Sequence, residues 1–92
     1  MAKIRANLKV IGDVQGVTFR WFIQRKAKDS GLTGWVKNLP DGSIEAIVEG
    51  EKEKIEELIK KCWHGPIFAR VDDLEVDWRN YTEGFNDFRI IF

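Results

Sequence analysis

The sequence predicts an α+β fold in which two helices cover one face of an antiparallel sheet. Five short stretches, most with apolar residues at every second position, have the pattern of strands, and two stretches with apolar residues three and four positions apart have the pattern of helices. Length is the third observation, because 92 residues are enough for one compact core and too few for two. We therefore expect a single domain over residues 1–92, with no linker.

The chain is predicted to begin with a strand and a helix. The strand is predicted from four apolar residues that alternate with polar ones: Ile4, Ala6, Leu8 and Val10. Gly12 ends this strand. The helix is predicted from apolar residues at spacings typical of one helical face: Phe19, Phe22, Ile23 and Ala27. It should end near Ser30-Gly31, where Gly31 suits a left-handed C-terminal cap.

A hairpin is predicted next. Residues 34–39 form its first strand, and Pro40-Asp41-Gly42 forms the turn, since proline fixes φ and glycine takes the left-handed position. Ile44, Ala46 and Val48 then alternate toward the core. The two strands on either side of the turn should therefore pair.

The remaining residues, 51–92, are predicted to contain a helix and two strands. The helix runs from Glu51 to about Trp63, because one face is apolar while Glu and Lys fill the other. In the strand that follows, the apolar alternation changes parity, which predicts a bulge or break at Asp72-Asp73. A short final strand is predicted from three alternating apolar residues: Phe88, Ile90 and Phe92.

The order of these elements is strand, helix, strand, strand, helix, strand, with a short strand at the end. This is the split β-α-β pattern of ferredoxin-like two-layer sandwiches, in which both helices lie on one face of the sheet.

Charge and cysteine content exclude several kinds of function. Fifteen basic side chains balance fifteen acidic ones, so no overall field would hold a nucleic acid or an anionic membrane. Cys62 is the only cysteine, which excludes an intrachain disulfide and a multi-cysteine zinc site. No stretch is long and apolar enough for a signal peptide or a membrane span. We therefore expect a cytoplasmic protein.

The segment from Val10 to Arg20 has several features of a phosphate-binding loop. Gly12 and Gly16 can adopt positive φ or let backbone N–H groups approach a ligand, and the helix that follows adds positive potential at its N-terminus. Arg20 near a helix start, where an acid is normally favoured, is out of place unless an anion binds there. We expect Asp13 to point away from this site, because a carboxylate would oppose anion binding.

Asn38 is a second candidate, because its uncharged amide can hold a water by donating and accepting at once. From the residues alone, a turn-stabilising role is the favoured interpretation of Asn38, because it lies just before the 40–42 turn. The main covalent routes to phosphoryl hydrolysis are not supported by the sequence: Cys62 lies too far from Arg70 for a cysteine phosphatase loop, and Gln15 stands where an aspartyl-phosphate enzyme would have a second aspartate. The remaining route to hydrolysis is direct attack of water on the phosphoryl group.

Two stretches resemble the acylphosphatase family closely: Val-Ile-Gly-Asp-Val-Gln-Gly-Val-Thr-Phe-Arg, residues 10–20, and Gly-Trp-Val-Lys-Asn-Leu-Pro-Asp-Gly, residues 34–42. The resemblance runs essentially from end to end. It implies hydrolysis of acyl phosphates, the mixed carboxylic-phosphoric anhydrides, to a carboxylate and inorganic phosphate. Because a carboxylate leaves easily, neither a metal nor a cofactor is expected.

The resemblance also assigns roles to residues. Arg20 and Asn38 are the expected catalytic residues, with Asn38 positioning the attacking water. The expected substrate-binding residues form one continuous segment: Gln15, Gly16, Val17, Thr18, Phe19 and Arg20. We expect a small-molecule acyl phosphate as substrate, inorganic phosphate or sulfate as product-like ligands, and a monomer that binds no nucleic acid or membrane.

Two other functions fit parts of the sequence. A domain that binds a phosphorylated metabolite without turnover, or an accessory module, would need the same loop. An RNA-binding domain could share the sandwich architecture, but the aromatic sheet motif of such domains is missing and the net charge is zero.

Overall fold

The computed structural model describes residues 2–15, 17–67 and 69–92. Within these residues, the elements follow the expected order: β1 (Lys3–Asp13), α1 (Val17–Asp29), β2 (Thr33–Asn38), β3 (Ile44–Glu51), α2 (Lys52–His64), β4 (Arg70–Arg79) and β5 (Phe88–Ile91). The strands form one sheet in the order β4-β1-β3-β2-β5, and α1 packs on β2 and β5 while α2 packs on β3 and β4. The predicted ferredoxin-like sandwich is confirmed.

The prediction of a wholly antiparallel sheet is wrong. The sheet is mixed, because β5 runs parallel to β2. β1 pairs antiparallel with both β3 and β4, and β2 pairs antiparallel with β3. As a result, β4 ends at the same end of the sheet at which β2 begins. Residues 80–87 then cross the sheet at that end, so the strand that follows must run in the direction of β2.

The core lies between the sheet and the helices. Alternate residues of the strands face it, including Leu8, Val36 and Ile44, each at most 1% exposed. Phe19 and Ile23 of α1 pack from the helix layer. Cys62 of α2 is completely buried there, and burial raises the pKa of its thiol to about 12, which leaves the thiol protonated and unreactive.

Two backbone features confirm predictions made from the local sequence. After α1, Leu32 N–H donates to the Ala27 carbonyl at 2.9 Å and Gly31 N–H donates to the Lys28 carbonyl at 3.0 Å. These are the two bonds of a Schellman motif, and Gly31 has the positive φ of 73° that the motif requires.

The second feature is a bulge where β1 meets β4. Ile11 pairs with Asp73 and Gly12 pairs with Val71, so Asp72 is the extra residue, as the change of parity predicts. Gly12 has φ 141°, and a Cβ at this position would lie 2.2 Å from the Arg70 carbonyl oxygen. Only glycine therefore fits where β1 leads into the loop.

The predicted hairpin turn is closed by hydrogen bonds across it. Leu39 N–H donates to the Ser43 carbonyl at 2.8 Å, and Gly42 N–H donates to the Leu39 carbonyl at 3.1 Å. The Ser43 hydroxyl and N–H both donate to the Asp41 carboxylate, which lowers the pKa of Asp41 to about 2. This turn fixes the end of β2.

Segment 80–87, which we call the strap, is held by a buried carboxylate. Glu49 lies on the sheet face opposite the helices and is 1% exposed. It accepts hydrogen bonds from Thr82 N–H at 2.9 Å, from the Thr82 hydroxyl at 2.7 Å and from Gly84 N–H at 3.3 Å, and the Arg5 Nε lies 3.3 Å away. Burial alone would raise the pKa of Glu49, but these donors and the Arg5 charge outweigh burial and lower it.

None of the helices in the described part of the chain is long and apolar enough to cross a membrane.

Glu49→Gln should lower the free energy of unfolding by about 1 to 3 kcal/mol near neutral pH, because the strap loses hydrogen bonds to a charged acceptor. Since the pKa of Glu49 is lowered in the folded state, its contribution is present above the ordinary glutamate pKa and is lost as pH falls through the lower, folded value. The difference between wild type and variant should therefore shrink on acidification.

Urea unfolding at a series of pH values measures this difference. Glu75→Gln, at an exposed position of β4, is the control and should give a small difference at every pH. A Glu49→Gln difference that stays constant down to the lowest pH would show that the charge of Glu49 does not hold the strap.

Candidate active site

The elements that carry the predicted site residues meet at one end of the sheet. β1 ends there, α1 begins there and β2 ends there at Asn38. Ile44 of β3 lies between Val10 of β1 and Asn38 of β2, and Lys37 pairs with Ile91 of β5. Neighbouring strands are about 4.8 Å apart and residues along a strand about 3.3 Å apart, so Asn38 lies close to the β1–α1 loop and to the end of β5.

Gln15 ties the β1–α1 loop to the hairpin. Its side-chain amide donates to the Leu39 carbonyl at 2.6 Å and to the Ser43 carbonyl at 3.3 Å. The loop is also anchored by Val14, which is 2% exposed and belongs to the core. The loop is therefore held on the side of Asn38.

The start of α1 leaves positive potential without an acidic partner. The helix begins at Val17, and its first turn contains no acidic residue. The first N–H groups of a helix have no partners within the helix, and their dipoles add to about half a positive charge. Thr18 is exposed on this turn, whereas the Phe19 side chain is 2% exposed and lies in the core, so Phe19 offers an anion only its backbone N–H.

Arg20 lies one turn into α1 and is only 7% exposed. Its Nη1 donates to the Ile91 carbonyl at 3.4 Å, and its guanidinium carbon lies 4.8 Å from the centre of the Phe92 ring. One turn further along α1, Gln24 Nε2 donates to the Phe88 carbonyl at 3.1 Å. Arg20 and Gln24 thus hold the helix to the two ends of β5.

One edge of the Arg20 guanidinium has no hydrogen-bond partner among residues 2–15, 17–67 and 69–92. Nη1 donates to the Ile91 carbonyl, whereas Nε is buried and makes no hydrogen bond to any of these residues. Nε and Nη2 together form the fork that binds two oxygens side by side. Arg70 shows this fork occupied in the same protein, since its Nε and Nη2 donate to both carboxylate oxygens of Asp72 at 3.0 and 3.3 Å.

Asn38 also carries an unsatisfied buried atom. Its Oδ1 is buried and accepts no hydrogen bond from any residue that the structure describes. Asn38 has the same parity in β2 as the core residue Val36, so its side chain lies on the helix side of the sheet, on which α1 lies. A buried acceptor without a donor is costly, and such atoms in native proteins commonly bind a water or a ligand.

Four buried side-chain atoms lack a hydrogen-bond partner within the described residues: Arg5 Nε, Asn7 Oδ1, Arg20 Nε and Asn38 Oδ1. Two of the four belong to the expected catalytic residues, and both lie at the same end of the sheet. An unused donor fork and an unused amide acceptor are the groups needed to hold an anion and a water together.

The other predicted site residues differ in what they contribute. Gln15 contacts the hairpin, so its side chain acts on the loop's position. Gly16 lies outside the described residues, and the Val17 backbone belongs to the first turn of α1. Asp13 is exposed, and it lines a hollow beside the loop together with Gln15 and Thr18.

Sequence reasoning missed the partners of Arg20 at the end of β5. Phe92 was expected in the last strand, but the strand ends at Ile91, and Phe92 is 88% exposed beside the guanidinium. No local pattern predicts the hydrogen bond from Arg20 to Ile91, because it joins residues 71 positions apart in the chain, and Phe92 is one position further away.

A hollow of about 400 Å³ lies beside the loop, and we call it the loop hollow. Asp13, Gln15 and Thr18 line one side of it, and residues of the α2–β4 connection line the other: Pro66, Ile67 and Ala69. Neither Arg20 nor Asn38 lines it, but the hollow shares Gln15, Thr18 and Phe19 with the predicted substrate-binding segment.

A family model described as Acylphosphatase matches residues 6–90. The chain belongs to the acylphosphatase family. The family expected from residues 10–20 and 34–42 is therefore confirmed, and the chain is an enzyme of that family.

The similarity covers nearly the whole chain in sequence and in structure. An acylphosphatase from Thermococcus kodakarensis is 46% identical over 91 residues, which is 99% of this chain and 99% of that protein. One from Pelotomaculum thermopropionicum is 42% identical over 92 residues, the full length of both. The crystal structure of acylphosphatase from Bacillus subtilis has a TM-score of 0.92 at 35% identity, and the match covers 97% of this chain and 99% of that one.

Proposed function

We propose that the protein hydrolyses acyl phosphates to a carboxylate and inorganic phosphate, by direct attack of water and without a metal. Besides membership of the family, the observation that carries this proposal is the pair of unsatisfied buried atoms, Arg20 Nε and Asn38 Oδ1, at one end of the sheet. The pair offers a charged donor and a neutral acceptor, which an anion and a water would satisfy together.

In the first step the phosphoryl group binds to the loop and to Arg20. Backbone N–H groups from about Gln15 to Arg20 surround its oxygens at the start of α1, where the helix potential favours an anion. The free Nε and Nη2 edge of Arg20 binds two of the oxygens. Because Arg20 is 7% exposed, little water competes with the anion, and the attraction is stronger than at the surface.

In the second step Asn38 holds the attacking water. The water donates one hydrogen to Oδ1 and keeps a lone pair for the phosphorus atom, in line with the leaving carboxylate. A phosphoryl oxygen of the substrate accepts the water's proton. Holding the reactants in this geometry supplies much of the catalysis, since the carboxylate leaves easily and needs no strong acid.

Metal ions have no assigned part in this mechanism. Within the described residues, no three His, Cys, Asp or Glu side chains come together as metal ligands. The charge on the phosphoryl group is instead balanced by Arg20 and by backbone dipoles.

The purified protein should release inorganic phosphate from benzoyl phosphate, at a rate proportional to protein concentration and unchanged by excess EDTA. The carboxylate and phosphate products are measured separately and should form in equal amounts. Tight phosphate binding without release from benzoyl phosphate would contradict hydrolysis, and activity restored only by added metal would contradict the metal-free route.

Arg20→Gln should lower kcat/KM by about 10³- to 10⁵-fold, by analogy with arginines that stabilise phosphoryl transfer. Inhibition by inorganic phosphate should weaken as well, because the fork binds the product's oxygens in the same way. Steady-state kinetics with benzoyl phosphate measure both effects.

Arg20 also anchors β5, so the control is Gln24→Ala, which removes the other side-chain bond between α1 and this strand without touching the charge. Gln24→Ala should keep kcat/KM within about threefold of wild type, since one hydrogen bond contributes only about 1 kcal/mol to the fold. Equal losses in the two variants would mean that Arg20 acts through β5 and binds no substrate.

Asn38→Ala should lower kcat by about 10²- to 10³-fold, the loss seen when a single polar group that stabilises a transition state is removed. The inhibition constant for inorganic phosphate should change little, because Asn38 holds the water and the loop holds the anion. Asn80→Ala, at an exposed position after β4, is the matched control and should match wild type. Phosphate inhibition that weakens as much as kcat falls would place Asn38 on the anion instead.

A further inference from the structure

The loop hollow is continuous with the proposed anion-binding loop. Gln15, Thr18 and Phe19 line the hollow and also belong to the segment proposed to hold the phosphoryl group. A substrate whose phosphoryl group lies on this segment therefore has the hollow as adjoining space for the rest of the molecule. At about 400 Å³, the hollow is large enough for an aromatic acyl group, since it corresponds to the liquid volume of on the order of a dozen water molecules.

The lining of the hollow is about half polar and half apolar, and the apolar half is contributed by two groups of residues. Val14 and Phe19 form its floor and are each 2% exposed, so these side chains are fixed by the core. Pro66, Ile67 and Ala69 form the opposite wall. Ile67 is 79% exposed, and an apolar group that packs against it would remove this surface from water.

The only charged side chain that lines the hollow within the described residues is Asp13, and its carboxylate is exposed. Arg70 is the β4 partner of Asp13, but its guanidinium fork is already occupied by Asp72. Asp72 and, to a smaller extent, Asp13 raise the pKa of Arg70. No lysine or arginine is among the described residues that line the hollow. A second negative charge placed in this hollow would therefore be repelled.

We infer that the loop hollow receives the acyl group of the substrate and that Asp13 makes acyl phosphates with uncharged acyl groups, alkanoyl or aroyl, the preferred class. This inference rests on the proposed function. It adds a specificity-determining residue, Asp13, and an apolar contact residue, Ile67, to a reaction whose chemistry is carried elsewhere in the site.

The test compares two substrates of nearly equal size, para-nitrobenzoyl phosphate, whose acyl group is uncharged, and para-carboxybenzoyl phosphate, whose acyl group carries a carboxylate. The quantity measured is the ratio of kcat/KM for the charged substrate to that for the uncharged one. Asp13→Asn should raise this ratio by about tenfold, mainly through a lower KM for the charged substrate, because it removes a nearby like charge without changing the shape. Asp29→Asn, an exposed aspartate at the far end of α1, should leave the ratio unchanged.

A second variant tests the apolar wall. Ile67→Ser should lower kcat/KM for para-nitrobenzoyl phosphate several-fold relative to acetyl phosphate, whose acyl group is too small to reach Ile67. Ile67 is mostly exposed, so the substitution leaves the core intact.

The outcomes separate this inference from the proposed function. If wild type hydrolyses para-nitrobenzoyl phosphate but Asp13→Asn leaves the ratio within twofold of wild type, Asp13 does not select the acyl group and the inference is wrong, while the proposed function stands. An unchanged preference in Ile67→Ser would likewise place the acyl group outside the hollow. If wild type hydrolyses none of the three substrates, the proposed function itself fails.

Discussion

The parallel ladder between β2 and β5 is the constraint on which the candidate site depends. It sets Ile91 beside Lys37, and so brings the end of β5 next to Asn38 and within reach of Arg20. The Ile91 carbonyl then accepts a hydrogen bond from Nη1 of the Arg20 guanidinium, and the proposed mechanism uses the other edge to bind the phosphoryl group. The ladder exists because the strap crosses the sheet at the end where β2 begins, and Glu49 holds the strap there. A carboxylate on the open face of the sheet therefore helps to position an arginine on the helix face.

Features that depend on a few neighbouring residues could be predicted from the sequence. Gly31 ends α1 in a Schellman motif, and the change of parity places the bulge at Asp72, because each feature is specified by local backbone geometry and apolar alternation. The hairpin at 40–42 follows from its turn residues in the same way. The two stretches that resemble the family contain Arg20 and Asn38, so the candidate site was also accessible from the sequence.

Features that depend on residues far apart in the chain could not be predicted. The direction of β5 depends on where the strap crosses the sheet, and apolar alternation is the same in a parallel and an antiparallel strand. The periodicity of β3 marks Glu49 as facing away from the core and therefore exposed, whereas the strap buries it. The bonds from Gln15 to the hairpin and from Arg20 to Ile91 join positions 24 and 71 residues apart, and no spacing rule covers them.

The aromatic ring of Phe92 has a consequence for the direction from which a ligand reaches Arg20. The guanidinium lies over the ring face, where the π electrons carry partial negative charge. That face attracts the arginine but repels a phosphoryl dianion. The ring therefore disfavours the approach of an anion to Arg20 from its own side. The Ile91 carbonyl is also electron-rich. Under the proposed mechanism, the phosphoryl dianion would therefore reach Arg20 most favourably from the start of α1.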